Sequence, residues 1–422
     1  MPPVSPRQRR RVELLVFFTV FLDLVGFGIV IPLLPFYVQS MGGSARTVGV
    51  LLGCFSFAQL LATPLLGRHS DLHGRRRVIL LSLLANAFAM GLFALASHLL
   101  LLPLLFTSRI LAGATSGNLA ACQATLADIS TPETRAQVMG RLGAGIGLGL
   151  VLGPMFGGLL AEWGAWLPPL AAGALALLGA LGVLLAMPET HPPETRSETR
   201  SASKFPSRWS VLQDAPNRRA LLLVLALYFL VFLAMTTLQV ALPLLAQARL
   251  DWGAKEMGYV FALFGGLALL IQGGLIGPLS HAVGEVRLLI LGALLLCAGM
   301  VGVSLAHQPV PLVGAVALIG TGMGLLQPLL GSLASQAANP SYLGLTLGLA
   351  QSSGGLARTV GPMASGSLYS SLGSSAPFTA GAIVALGVAA LGTRLKRAGL
   401  GRERSRTDLA EPAKHNRPRP PE

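Results

Sequence analysis

Asp23 is the only carboxylate deep inside an apolar stretch. The rest of the 17 acidic residues lie in polar segments or near the ends of such stretches. A charged side chain at the centre of a bilayer costs roughly 2.5–3.5 kcal/mol even on the lenient insertion scale. Asp23 should therefore face the interior of a helix bundle and exchange a proton there; it could also pair with a cationic substrate, or act as a structural hydrogen-bonding group. Two cations are buried in the same way: Arg109, in Arg109-Ile-Leu-Ala-Gly113, and Arg358. Each could hold a nearby carboxylate ionised until a proton or substrate displaces it, or pack between helices against carbonyl groups. Gln59, Asn118, Gln123, Gln239, Gln272, Gln327 and Gln351 are uncharged polar groups in apolar surroundings, suited to line a cavity or to bond helix to helix.

Other chemistries lack their residues. None of the four lysines follows a glycine-rich loop, so built-in ATP hydrolysis is excluded. With no His-Glu metal motif and no serine nucleophile elbow, no enzyme is expected. His69 and His73 flank Asp71 at metal-ligand spacing, but no third ligand lies nearby, so neither a metal site nor a cofactor is expected. Cys54, Cys122 and Cys297 all lie in apolar stretches and, being odd in number, read as small core residues rather than a disulfide framework.

The elements that must position these groups follow from composition. Of 422 residues 53% are apolar and only 11% charged, with a mean hydropathy of +0.67. A soluble domain carries about twice that charged fraction, so the expected class is an all-α integral membrane protein. At about 20 residues per crossing, spans can be marked at 14–38, 48–66, 78–97, 99–126, 142–161 and 163–187. After a polar linker at 188–219 they resume at 220–248, 257–280 and 288–306. No charge separates Arg287 from Arg358, and the punctuators His307-Gln-Pro-Val-Pro311 and Asn339-Pro-Ser341 divide that stretch into spans at 312–336 and 345–368, before a twelfth at 376–391. Two six-helix halves, 14–187 and 220–393, are thus expected between a basic segment at 1–13 and a basic tail at 394–422 that is read as disordered.

Sorting Lys and Arg by loop places twenty-six on one side and three, Arg46, Arg249 and Lys255, on the other. Short cytoplasmic loops hold the basic excess, so both termini are expected in the cytoplasm. The net charge of +14 is then topology signal rather than a sign of nucleic-acid binding. The halves also repeat. A shift of 208 residues superimposes Pro35 on Pro243, Gln39 on Gln247, Gly153-Pro154-Met155 on Gly361-Pro362-Met363, and Gly158 on Gly366. A shift of 210 superimposes Gly67, Gly74 and Arg77 on Gly277, Gly284 and Arg287. Halves of this kind place a substrate site between them near the midplane and rock about it. Asp23 falls opposite Val231, which concentrates ion coupling in the N-terminal half.

Four motifs in order give a resemblance that covers nearly the whole chain. Gly67-Arg-His-Ser-Asp71-Leu-His-Gly74-Arg75-Arg76-Arg77 resembles the loop two-three signature of the major facilitator superfamily, and Arg109 to Gly113 its span-four motif. Gly140, Gly149, Gly153-Pro154 and Gly157-Gly158 are spaced as in its antiporter signature on span five. Asp23-Leu-Val-Gly26-Phe-Gly28-Ile-Val-Ile-Pro32-Leu-Leu34-Pro35 is similar to span one of the twelve-span drug/proton antiporters, notably the tetracycline-exporter-like branch.

The resemblance implies the major facilitator fold, with Asp23 and Arg109 in proton coupling. It implies a conformational latch of Gly67, Asp71, Gly74, Arg75 and Arg76, in which Asp71 caps a helix of the opposite half when the protein faces outward. Leu72 and Arg77 depart from the signature, leaving Arg75 and Arg76 as the partners. The span-five glycines imply a pivot and seal, although ordinary small-residue packing has the same geometry. Tetracycline exporters carry further carboxylates in spans three and nine; here those spans have none, and Asn86 and Ala89 occupy that part of span three. The expectation is a proton-coupled exporter of lipophilic, often cationic, small molecules or drugs, a monomer in a bacterial inner membrane whose partners are substrate, protons and lipid. The alternative is an uncoupled facilitator or a proton-coupled importer of a small metabolite.

Overall fold

The computed structural model describes residues 6–190, 217–339 and 342–397. Most of the linker at 188–219 and of the basic tail lies outside the described residues. Span one is α1 (Pro6–Val30), a 3-10 turn at Ile31–Leu33 and α2 (Leu34–Ser40), the change of pitch falling between Pro32 and Pro35. Spans two and three are α3 (Ala45–His73) and α4 (Arg75–Leu99). Span four is α5 (Leu102–Thr115) and α6 (Asn118–Ile129), and spans five and six are α7 (Pro132–Ala161) and α8 (Leu167–Ala186). The second half opens with α9 (Arg218–Leu250) as span seven. Span eight is α10 (Ala254–Leu270), a π turn at Ile271–Leu275 and α11 (Ile276–Val283). Spans nine to twelve are α12 (Glu285–Leu305), α13 (Pro309–Ala337), α14 (Leu343–Leu372) and α15 (Ala376–Arg397).

Helices occupy all twelve marked stretches, and ten among the described residues are long and apolar enough to cross a membrane. The other two show where polarity enters. Helix α14 has the length, 30 residues, but carries serines, threonines and Arg358. Span four, expected as one piece, breaks at Ser116-Gly117. There Thr115 and Ser116 donate their hydroxyls to the carbonyls of Leu111 and Gly113 at 3.0 and 2.7 Å, and glycines at 113 and 117 weaken the helix further. Within the basic segment at 1–13, residues 6–13 are helical as the start of α1, and Arg9 pairs with Glu13 at 3.0 Å.

Each half closes on itself, α1 packing on α7 and α8, and α12 on α13 and α15. The halves meet along two seams related by the repeat, α3 with α14 and α7 with α10. Both use glycine to bring backbones together. A side chain at Gly49 would strike the Pro362 carbonyl and one at Gly366 that of Ala45; a side chain at Gly258 would strike the Pro154 carbonyl and one at Gly158 that of Ala254. All of these contacts lie toward the end opposite the termini. Toward the terminal end of the same helices Gly67, Gly140, Gly344 and Gly348 face open space. The bundle is therefore pinched at one end and parted at the other.

Candidate functional site

Asp23 points into the N-terminal half at the level where span four breaks. Asn86 of α4 donates its amide to the Asp23 carboxylate at 3.2 Å, and the Asn118 side chain hydrogen-bonds the same group. The break makes this possible: Asn118 is the first residue of α6, and its own oxygen accepts the Leu119 amide at 2.8 Å, turning its NH2 toward Asp23. The carboxylate is thus held by two amides from two other spans, and among the described residues it forms no ion pair. Sequence reasoning marks Asn118 only as a cavity lining and does not connect Asn86 to Asp23; an amide at mid-height of an otherwise apolar span is the signal that could have done so.

Arg109 goes elsewhere. Its guanidinium lies 4.6 Å from the centre of the Phe93 ring, its Nη2 contacts the Met90 sulfur at 3.3 Å, and its Nε has no partner among the described residues. The structure does not bring Arg109 to Asp23. Arg358, on α14, lies 4.7 Å over the Phe232 ring of α9. Gln272, carried on the π turn, donates to Gln327 of α13 at 3.3 Å. Gln59 and Gln239 are half-buried, whereas Gln123 and Gln351 are exposed.

The signature expected as a loop between spans two and three is nearly all helix. Helix α3 runs to His73 and α4 starts at Arg75, so Gly74 alone makes the corner, at φ +103°, which only glycine adopts without strain. Gly284 makes the same corner in the second half at φ +88°. Across the corner Asp71 pairs with Arg75, whose Nε also binds Asp128 of α6 at 3.2 Å and whose backbone amide donates to Glu189 at 2.9 Å. Arg76 donates to the Leu184 carbonyl at 2.6 Å. Asp71 meets its own corner here rather than a helix of the opposite half. Asp128 and Glu189, which complete the cluster, were not singled out by sequence. His69 and His73 stack on each other at 3.9 Å, and no group of metal-ligating side chains occurs among the described residues.

On span five the glycines divide their labour. Gly149, Gly153 and Gly157 lie against Leu24, Gly28 and Ile29 of α1, fixing the helix that carries Asp23. Gly158 instead faces α10 across the seam, and Gly140 faces open space.

The sequence profile of the Major Facilitator Superfamily matches residues 16–276 and 267–420. The chain is 32% identical over 367 residues to the tetracycline resistance protein class C of Escherichia coli, covering 85% of this chain and 89% of that one. It is 30% identical over 426 residues to the human major facilitator superfamily domain-containing protein 10, covering 90% and 92%. The crystal structure of the human organic anion transporter MFSD10 (TETRAN) superposes with a TM-score of 0.67 at 27% identity, covering 92% of this chain and all of that one.

Proposed function

Because the chain belongs to the major facilitator superfamily, grouping with its tetracycline-exporter-like branch, we propose that it exports lipophilic small molecules in exchange for protons, by alternating access between its halves. The observation that carries this reading is Asp23 with Asn86 and Asn118. Neutral amides can serve either protonation state of the carboxyl, accepting from its OH or donating to its carboxylate, so the group can load and release a proton without leaving a buried partner stranded. Proton entry down a membrane potential supplies about 2.3 kcal/mol per charge per 100 mV.

The basic excess supports a cytoplasmic terminal end, and the composition suits a bacterial inner membrane. The seams then close the external side and the protein faces inward. Asp71 on its own corner fits that state, and capping of a helix of the opposite half belongs to the outward-facing one. Tetracyclines and organic anions, named for the relatives, are the substrate chemistries to try first.

The test is internal pH in proteoliposomes under an imposed proton gradient, with a panel of lipophilic compounds added to wild type and to Asp23→Asn. Proton movement on addition of a compound, lost in the variant, is the expected result. Solute equilibrating with no proton flux would leave the uncoupled facilitator, and uptake with the proton would leave the importer.

A further inference from the structure

The charges buried in the spans do not balance. Among the described residues Asp23 stands against Arg109 and Arg358, and none of the three takes part in an ion pair. Arg109 is 4% exposed and enclosed in its own half by Phe93 and Met90. Arg358 is placed differently. It sits halfway along α14, and at 100° per residue it falls between two stripes of that helix. Gly354 and Gly361 face Phe232, Leu233 and Thr236 of α9; Thr359, Pro362, Met363 and Gly366 face Gly53, Gly49 and Ala45 of α3. The side chain enters the crevice between them, over the Phe232 ring of its own half and beside Leu60 of the other. The closed seam lies on one side of it, and the parted end, where Gly348 and Gly344 have open space, on the other.

We propose that Arg358, backed by Phe232, is the recognition residue for an anionic group, so that the substrates of this protein are lipophilic organic anions: a carboxylate on an apolar body. This rests on the transport reading above and goes further in fixing the charge of the cargo. A half-buried guanidinium without a counter-ion gives up part of its hydration uncompensated. A carboxylate relieves that cost through two parallel charge-assisted bonds, a geometry the planar fork of arginine fits and lysine does not. Phe232 holds the face of the guanidinium and leaves its edge free for the anion. The apolar body would rest against Phe232 and Leu60, and so touch both halves at once. A lipophilic cation entering the same crevice would meet the unpaired guanidinium of Arg358.

The full chain in lipid nanodiscs is titrated with three probes of one shape: 1-naphthylacetate, its neutral amide, and 1-naphthylethylamine. The carboxylate is expected to bind about tenfold or more tighter than the amide, as a charge-assisted pair requires, with the amine weakest. Arg358→Gln should erase the preference and Arg358→Lys keep part of it. Should Arg358→Gln fail to insert, Phe232→Leu leaves the charge in place and is expected to weaken all three probes by the lost ring contact, the carboxylate most. The amine binding best, a preference intact in Arg358→Gln, or none of the three binding would overturn the proposal. Proton flux separates it from the antiport reading. Flux driven by the amine and lost in Asp23→Asn would keep antiport and overturn the anion site; Arg358-dependent carboxylate transport without proton flux would do the reverse.

Discussion

Along spans one to six the buried apolar side chains fall into two clusters. One holds Val25, Ile29, Ala89, Phe93 and Ala112; the other holds Val20, Ile79, Leu83, Ala121 and Leu126. In spans one, three and four the gap between them is filled by a polar residue: Asp23 between Val20 and Val25, Asn86 between Leu83 and Ala89, Asn118 between Ala112 and Ala121. Along spans seven to twelve one large cluster runs from Ala220 through Val231 to Leu395, with only Leu221 and Ala337 in a small separate one. The two halves share one sequence pattern, yet the half that holds the carboxylate carries a polar layer across three of its spans. Burying that group demands partners, and each partner takes the place of an apolar residue in its helix, in span four directly after the break at Ser116-Gly117. The repeat position of Asp23 is Val231, fully buried, and its half kept an unbroken core.

The largest expected effect is on coupling. Asp23→Asn leaves three amides able to hydrogen-bond one another, so the protein should fold, reconstitute and lose substrate-driven proton flux altogether. Undiminished flux in that variant would mean the polar layer is structural and the contrast between the halves has no bearing on transport. The reciprocal change tests the other side. Val231→Asp puts a carboxylate into a core without amides and should cost about 3 kcal/mol or more, read as a lower thermal midpoint and poor folded yield, whereas Asp23→Val should uncouple the protein without that loss. Equal tolerance of Val231→Asp would break the comparison outright.

The seams sharpen it from the opposite direction, because there the halves have not diverged. Gly49 against Pro362 and Gly258 against Pro154 are equivalent by the repeat, and each would drive a methyl group into a backbone carbonyl that cannot swing aside. Gly49→Ala and Gly258→Ala should therefore penalise the pinched state by similar amounts, about 1–3 kcal/mol for overpacking. Spin labels on either side of the pinched end should report longer distances for both, and no change for Gly348→Ala, which faces open space. Opening in one variant only would show that the seams, like the cores, have taken separate roles.

What sequence disclosed about this molecule is what depends on local periodicity and on repetition. Twelve spans, the breaks at His307-Gln-Pro-Val-Pro311 and near Asn339, and the pairing of Gly74 with Gly284 all follow from hydropathy, glycine and proline, which act through their neighbours in the chain. Side-chain partnerships did not follow. Arg109 reads as a mate for Asp23 because both are rare charges, but which face of α5 it occupies depends on how α4 packs, and that turns it to Phe93. The amide of Asn86 is informative only once α4 is known to face α1. Asp128 and Glu189 join Arg75 from segments 53 and 114 residues away, separations at which no spacing rule operates. The corner at Gly74 reads as a loop for a simpler reason: charged residues look like one, yet α3 and α4 carry theirs on helical turns.

The smallest effect is expected where the seams differ. Across the α7–α10 seam Lys255 binds Glu162 at 2.9 Å, both half-open to water at the pinched end. Its counterpart by the repeat is Arg46, at the start of α3, which is exposed and forms no ion pair among the described residues. An exposed pair of this kind contributes little and is screened, but it bridges the two halves at the pinched end, so its contribution should fall on the state in which that end is shut. Glu162→Gln should move the spin-label distances slightly toward the open form at low ionic strength, and the difference from wild type should disappear in about 1 M salt, where the screening length falls to about 3 Å. Arg46→Gln should do nothing at either salt. An equal response from Arg46→Gln would mean that surface charge at that end acts as a field on both seams, and that the ion pair adds no specific hold on the α7–α10 side.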